Sequence, residues 1–214
     1  MKKTLLLALA ISAAPFAATA TELSYSNIEF GYTQNKIHTN DYDGITDTSM
    51  QDTRPKGYYL RGSIELGQSP FYLFGGFNSG RDTVTAHSDG SRARLNSTAR
   101  EIEAGFGYHH ALSSSVNLLT EASYGTARLE YNRAGTHVSG RSNGFRLAVG
   151  VDSMLTDHLQ GWAKVNYTHG HKTGGKAGAE LGLQYRFNDT WGIVGKADLV
   201  KNNSGYMFGV RASF

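Results

Sequence analysis

The sequence predicts an all-β fold, a ten-stranded antiparallel transmembrane β-barrel preceded by a cleaved leader. Three observations carry this. From Leu23 onward apolar residues recur at every second position, which is the period of a strand. The connections between the alternating segments are by turns short and long. The faces opposite the apolar residues carry Gly, Ala and Ser around single charges, which suits a narrow lumen better than a solvated sheet. Composition agrees: 26 Gly, 12 Tyr, 10 Phe and 2 Trp in 214 residues are unlike a disordered tail or a helical protein. The length suits one domain, or two very small ones. With no cysteine, the chain has no disulfide, thiolate metal site, cysteine nucleophile or acylated lipoprotein anchor.

The leader comes first. Met1-Lys2-Lys3 is a short basic start, and the apolar run Leu5 to Ala14 is too short to span a bilayer as a helix. Pro15 breaks the run, and Ala18-Thr19-Ala20 sets small residues at −3 and −1 of a cleavage point. This is the anatomy of a secretory signal peptide. The alternative, an uncleaved amphipathic anchor, needs a polar face that the run lacks. The division is therefore 1–20 signal peptide and 21–214 barrel. Loss of Lys2 and Lys3 lowers the formal charge from +3 to +1.

The strands follow in order. Ile28, Phe30 and Tyr32 alternate with Asn27, Glu29 and Gly31. Tyr58, Leu60, Ile64 and Leu66 oppose Tyr59, Arg61, Ser63 and Glu65. Beyond Gly67-Gln68-Ser69-Pro70, the apolar face resumes at Phe71, Leu73, Gly75 and Phe77. Ile102, Ala104, Phe106 and Tyr108 oppose Glu101, Glu103, Gly105, Gly107 and His109. After Ser113-Ser114-Ser115, Leu118, Thr120, Ala122 and Tyr124 oppose Leu119, Glu121, Ser123 and Gly125. Past Gly125 this segment changes phase, with Ala127, Leu129 and Tyr131 apolar. A bulge or emergence from the membrane accounts for such a slip. Phe145, Leu147, Val149 and Val151 oppose Arg146, Ala148, Gly150 and Asp152. Ala163, Val165 and Tyr167 oppose Trp162, Lys164 and Asn166. Ala179, Leu181, Leu183 and Tyr185 oppose Glu180, Gly182, Gln184 and Arg186. Trp191, Ile193, Ala197 and Leu199 oppose Lys196 and Asp198. Tyr206, Phe208, Val210, Ala212 and Phe214 oppose Met207, Gly209, Arg211 and Ser213.

Alternation alone fits a soluble sandwich as well as a membrane barrel. Connection length favours the barrel: short turns are expected at 67–70, 111–115, 154–158 and 188–190, and longer loops at 38–56, 81–97 and 132–142. The last two outer connections, near 170–175 and 202–205, are short and fit less well. Aromatics at segment ends (Tyr32, Tyr58, Tyr108, Tyr185, Trp191, Phe214) match interfacial girdles. The chain is exported, and only a closed barrel leaves no unpaired strand edge in lipid.

A signal peptide and an alternating barrel ending in Val210-Arg211-Ala212-Ser213-Phe214 resemble the small outer-membrane barrels of Gram-negative bacteria. Leu23-Ser24-Tyr25-Ser26, Leu73-Phe74-Gly75-Gly76-Phe77, Gly105-Phe106-Gly107-Tyr108-His109 and Arg186-Phe187-Asn188-Asp189-Thr190-Trp191-Gly192 resemble, within that group, the short outer-membrane proteins of the Ax type. The resemblance covers nearly the whole mature chain and rests on the order of the motifs. It implies outer-membrane residence, and a terminal Phe214 read by the barrel-assembly machinery. That family has been linked to quorum-type signalling, with no agreed binding residues. The first outer loop, Asn40 to Thr53, is long for the family.

The inward set carries the acids Glu29, Glu65, Glu101, Glu103, Glu121, Asp152, Glu180 and Asp198. It carries the bases Arg61, Arg146, Lys164, Arg186, Lys196 and Arg211, a balance of −2 to which His109 can add charge. Ten strands lie close to the size at which side chains fill the interior. Charges in so narrow a space should pair, and so plug the lumen. Folding the chain about residue 172 sets Lys164 opposite Glu180. Folding about 189 brings Lys196 diagonally to Glu180, which predicts a triad. Glu29 and Arg211, on the first and last strands, would brace the seam.

Rim carboxylates and histidines raise an enzymatic reading. His38, Asp41, Asp43, Asp47 and Asp52 share the first loop, Asp82, His87 and Asp89 the second, and His169 and His171 the fourth. A rim protease would use paired aspartates and a His/Asp pair to activate water. Asp, Asn and Gly are also ordinary loop-formers, and that simpler account stands first. His169-x-His171 could grip a metal with one more ligand, but two loop histidines are more often solvated; Asp41-x-Asp43-Gly44 lacks the closing glutamate of a calcium loop, and Gly105-x-Gly107 lies within a strand. No enzyme, metal, cofactor or nucleic-acid partner is expected, and the chain is expected to be a monomer. Arg81, Arg92, Arg94, Arg100, Arg133, Arg141, Lys172 and Lys176 make the outer loops basic. Either this serves solubility, or Arg81, Arg92, Arg94, Arg133, Arg141 and Lys172 contact lipopolysaccharide phosphates. The sequence therefore leaves a structural, adhesive or sensing role through the loops, then a narrow channel, then a rim protease.

Overall fold

The computed structural model describes residues 23–37, 52–88, 91–133, 136–170, 174–200 and 203–214, with side chains omitted at 84–88, 91–94, 133 and 136. The signal peptide, most of the first outer loop, Asp89, His171 and Lys172 lie outside the described residues. So do the side chains of His87, Arg92, Arg94 and Arg133.

Ten strands form one closed sheet: β1 Asn27–Lys36, β2 Lys56–Glu65, β3 Phe71–Ser88, β4 Ser91–Ala111, β5 Val116–Arg133, β6 Thr136–Met154, β7 Leu159–Gly170, β8 Gly174–Arg186, β9 Trp191–Val200 and β10 Asn203–Ser213. Each strand pairs antiparallel with its sequence neighbours, and β10 returns to β1 to close the barrel. The seam is a full ladder from Asn27↔Ser213 to Lys36↔Ser204. The expected all-β, ten-stranded antiparallel architecture is thus present, and the sheet closes on itself.

The outward face is apolar. Phe30, Leu60, Phe106, Leu147, Val165 and Phe208 are each at least half exposed, an arrangement that only lipid would cover favourably. Tyr32, Tyr58, Tyr185 and Trp191 also point outward and are about half exposed. The short turns fall close to their predicted places. In the first, Gly67 adopts φ +64°, a left-handed conformation that glycine supplies without Cβ strain.

Two expected outer loops are largely strand. Instead of loops at 81–97 and 132–142, β3 and β4 stay paired to Ser88↔Ser91, and β5 and β6 to Arg133↔Thr136. These strands run to 18–21 residues. A membrane crossing takes about 9–11, so β3–β6 project beyond the bilayer. Asp, Ser and Asn in this region read as loop-formers. The interleaved β-branched residues and the unbroken ladder let both backbones satisfy their hydrogen bonds as a hairpin.

The phase slip after Gly125 involves no bulge. Registers with both neighbours run unbroken through it, from Glu103↔Gly125 to Thr98↔Glu130 and from Gly125↔Gly144 to Tyr131↔Val138. Side-chain parity is constant and the chemistry inverts. Below the slip the inward residues are Glu121 and Ser123. Above it they are Ala127, Leu129 and Tyr131, which gather with Leu95, Ala99, Val138 and Ile37 into a buried apolar cluster. Beyond the membrane water lies outside, so the apolar side turns in.

Candidate functional site: the charged lumen

All fourteen predicted inward charges sit on the parity that faces the barrel interior. Strand tilt places side chains from alternate strands at the same height, and most of the ion pairs accordingly skip a strand. Arg61 on β2 reaches Glu103 on β4 at 3.1 Å. Lys164 on β7 reaches Glu121 on β5 at 2.9 Å. Arg146 on β6 reaches Glu180 on β8 at 3.1 Å, and its other nitrogen reaches Asp198 on β9 at 3.2 Å.

Two carboxylates organise the layer. Glu180 accepts from Arg146, lies 3.3 Å from Lys164, and accepts a 2.9 Å hydrogen bond from the Trp162 indole. Glu29 accepts from Arg211 Nε at 2.7 Å and pairs with Lys196. The predicted register Lys164↔Glu180 is present, and Glu29 and Arg211 are direct partners across the seam.

The predicted triad is corrected at one member. Lys196 is diagonal to Glu180 in register, since Glu180 faces Asp198, yet its ammonium pairs with Glu29. Glu180 already holds Arg146, Lys164 and Trp162. Glu29 stands one strand beyond β10, within reach of the long lysine stem.

The other three inward acids, among the described residues, are held by neutral groups or a histidine. Asp152 accepts two bonds from the Gln160 amide, at 2.8 and 3.0 Å. Glu101 accepts from Asn78 at 3.1 Å. Glu65 accepts from the Tyr25 backbone N–H at 3.2 Å, with His109 3.9 Å away. Arg186, expected to pair with an acid, is buried with its guanidinium 3.8 Å from the Met154 sulfur.

Several lumen residues were not singled out from sequence. Trp162 lies under Arg211 and Lys196, 5.1 and 6.0 Å from its ring centre, and Tyr59 lies 5.8 Å from Lys196. Tyr72 donates to Glu121 at 2.7 Å. Gln184 accepts from Arg211 at 2.7 Å. Each sits on inward parity and carries a polar tip on a bulky body, a signal present in the alternation. Opposite Trp162 stands Gly182, where any Cβ would overlap the indole.

Tyr25, preceding β1, closes the inner mouth. Its ring stacks 4.4 Å from His109 and 5.1 Å from Tyr72, and its hydroxyl accepts from Asn117 at 2.8 Å. Burial, reinforced by the Asp152 carboxylate, keeps this phenol protonated well above its usual range. A cavity of about 110 Å³ lies on this side, touching Tyr25, Glu29, Asp152 and Lys164. A second, of about 260 Å³, opens outward past Asn35, Asn78, Asn143 and Lys176. Arg61, Glu103, Ser123 and Arg146 border both, so the layer they form separates the two spaces.

The rim candidates do not assemble into a catalytic group among the described residues. Asp82 is occupied with the Arg54 backbone N–H at 2.6 Å and the Thr53 hydroxyl at 3.1 Å. Asp52 pairs with Lys36 at 3.3 Å, and His169 packs on Phe145. At the C-terminus, the Phe214 N–H donates to the Ser26 carbonyl, and the ring is exposed. The outward arginines Arg81 and Arg141 are exposed.

No curated protein matches the chain. Among solved structures, the beta domain of the Bordetella autotransporter BrkA is similar at 15% identity, covering 90% of this chain and 100% of that one, with a TM-score of 0.54. Ail, the attachment invasion locus protein of Yersinia pestis, matches at 15% identity over 90% of this chain and 100% of that one, with a TM-score of 0.45. Neisserial surface protein A matches at 13% identity over 89% and 98%, with a TM-score of 0.46. The outer membrane protein beta-barrel domain matches residues 4–187, and the chain, an outer-membrane β-barrel by its closed sheet and lipid-facing girdle, belongs to that family.

Proposed function

We propose that this protein is a plugged outer-membrane barrel that acts at the cell surface through its projecting hairpins, in an adhesive, sensing or structural role and without catalysis. The observation that carries this reading is the ion-pair layer. Glu29 and Glu180 hold four cations between them, and Arg61–Glu103 and Lys164–Glu121 add two further ion pairs to the interior. Ten strands leave little space beyond such side chains. The projecting β3–β6 wall supports a surface role, because it extends well past what membrane crossing needs.

The second reading is a narrow channel, favoured by the two cavities that flank the Arg61–Glu103–Arg146 layer. Planar-bilayer recording of the refolded protein separates the two. Closed traces with rare, brief openings support the plug, and a large steady conductance overturns it. Excising the β3–β4 and β5–β6 hairpin tips should abolish attachment to surfaces while leaving the barrel folded.

Export follows from the leader, with cleavage after Ala20, so N-terminal sequencing of the mature protein should begin at Thr21. Phe214 serves as the assembly signal, and its deletion should reduce insertion by the barrel-assembly machinery. The folded protein works as a monomer.

A further inference from the structure

Arg100 on β4, Arg128 on β5 and Arg141 on β6 stand side by side. The registers Arg100↔Arg128 and Arg128↔Arg141 put all three in one row across three adjacent strands. They share parity with Ile102, Tyr124 and Phe145, which are exposed on the lipid face, and the arginines are themselves exposed. Arg141 belongs to the lipopolysaccharide contacts expected from sequence and Arg100 to the wider basic set; Arg128 belongs to neither.

Like charges placed directly opposite each other destabilise a sheet. Glu130, bonded to Arg128 at 2.9 Å, offsets one of the three. The row keeps a surplus of two positive charges along a sheet edge of about 10 Å, from a strand spacing of about 4.8 Å.

Its height is specific. On β5 the outward residues run from Leu118 to Arg128, and on β6 from Val151 to Arg141. Ten residues are about 33 Å of strand, which at a tilt near 40° rises about 25 Å, the height of a barrel's apolar band. The row therefore sits where outer-leaflet headgroups begin. Lys56↔Arg81, also outward on β2 and β3, continues the cationic arc. The outward face of β7–β10 carries no Lys or Arg among the described residues.

The three layers match one kind of molecule. Below the row, Ile102, Tyr124 and Phe145 suit acyl chains. Above it come Thr98↔Glu130↔Ser139 and then Asn96↔Asn132↔His137, which suit sugar hydroxyls. Guanidinium forks bind phosphate in a bidentate manner. We propose that Arg100, Arg128 and Arg141 form a phosphate-binding site for lipopolysaccharide, seated on the outward face of β4–β6 at the headgroup level.

The test titrates the refolded full-length barrel, in zwitterionic detergent, with purified lipopolysaccharide. Parallel arms use lipopolysaccharide stripped of its phosphates, phosphatidylglycerol vesicles and inorganic phosphate. The variants are Arg128→Gln, the triple variant R100Q/R128Q/R141Q, and Lys176→Gln as a control that removes an inward cation. The triple variant should bind intact lipopolysaccharide about tenfold or more weakly, with a shallower salt dependence, and Lys176→Gln should bind as wild type. Arg128→Gln alone should show a several-fold loss, which keeps the test usable if the triple variant fails to refold. Stripped lipopolysaccharide, phosphatidylglycerol and free phosphate should each bind the wild type more weakly than the intact glycolipid. Unchanged affinity in the arginine variants, or equal binding of the stripped form, overturns the site. Equal binding of phosphatidylglycerol overturns the choice of glycolipid.

Discussion

Arg211 on the last strand stands directly opposite Glu29 on the first and donates to its carboxylate across the pairing that closes the barrel. Glu29 is 2% exposed and also holds Lys196, so one acid ties β1 to both β9 and β10. Its backbone lies in the ladder and its side chain joins the inward ion pairs, so closure and plugging are served by the same residue.

Replacing Glu29 by Ala leaves Arg211 and Lys196 facing each other without an anion. Breaking one partner out of a buried pair typically costs about 3–5 kcal/mol. The urea midpoint of the detergent-solubilised barrel should fall accordingly. A midpoint equal to wild type would show that the backbone ladder alone closes the seam.

Glu180→Ala removes the acid between Arg146 and Lys164 and also frees the Trp162 indole N–H. A loss of similar size, about 3–5 kcal/mol, is expected in the melting curve. The same variant should raise open-state conductance in planar bilayers, because two cations no longer collapse onto one anion. Unchanged melting and closed traces together would remove Glu180 from the plug.

How far these contacts were legible follows from what sequence encodes. Alternation gives parity, so the inward set could be read directly, and hairpin folding gave Lys164↔Glu180. Pairs that skip a strand, such as Arg61–Glu103 and Lys196–Glu29, depend on strand tilt and on side-chain reach, which no single hairpin register contains. The projecting hairpins were missed for another reason. Ser, Asn and Asp signal loops when alone, but a continuous ladder such as Asp82↔Ser97 and Glu130↔Ser139 overrides that local signal. Arg128 escaped notice because its neighbours in space, Arg100 and Arg141, are far from it in sequence.

Gly182 leaves the space that Trp162 fills, and a side chain at that position would drive the indole off Glu180. Gly182→Val should destabilise the barrel by about 1–3 kcal/mol through overpacking. In a Trp191→Phe background the remaining tryptophan fluorescence reports on Trp162 alone, and it should shift in wavelength and broaden. Identical emission would mean that the lumen accommodates the extra volume without moving the ring.

The inversion of apolar parity along β5 yields opposite outcomes for substitutions on the two sides of the membrane boundary. Leu147, on the lipid face of β6, is 50% exposed, whereas Leu129, inward and above the membrane, is fully buried. Leu147→Arg puts a charge into hydrocarbon, at about 2–4 kcal/mol near the midplane, and should impair insertion of the whole barrel. Leu129→Ala empties part of the cluster with Leu95 and Tyr131, a cavity costing about 2–5 kcal/mol locally. That loss falls on the projection alone. The folded barrel should keep its compact mobility in unheated SDS gels, while trypsin gains access to Arg128 and Arg141 in the loosened hairpin. If Leu129→Ala instead abolished insertion, or left trypsin resistance intact, the projecting wall would not be a separately packed extension of the barrel.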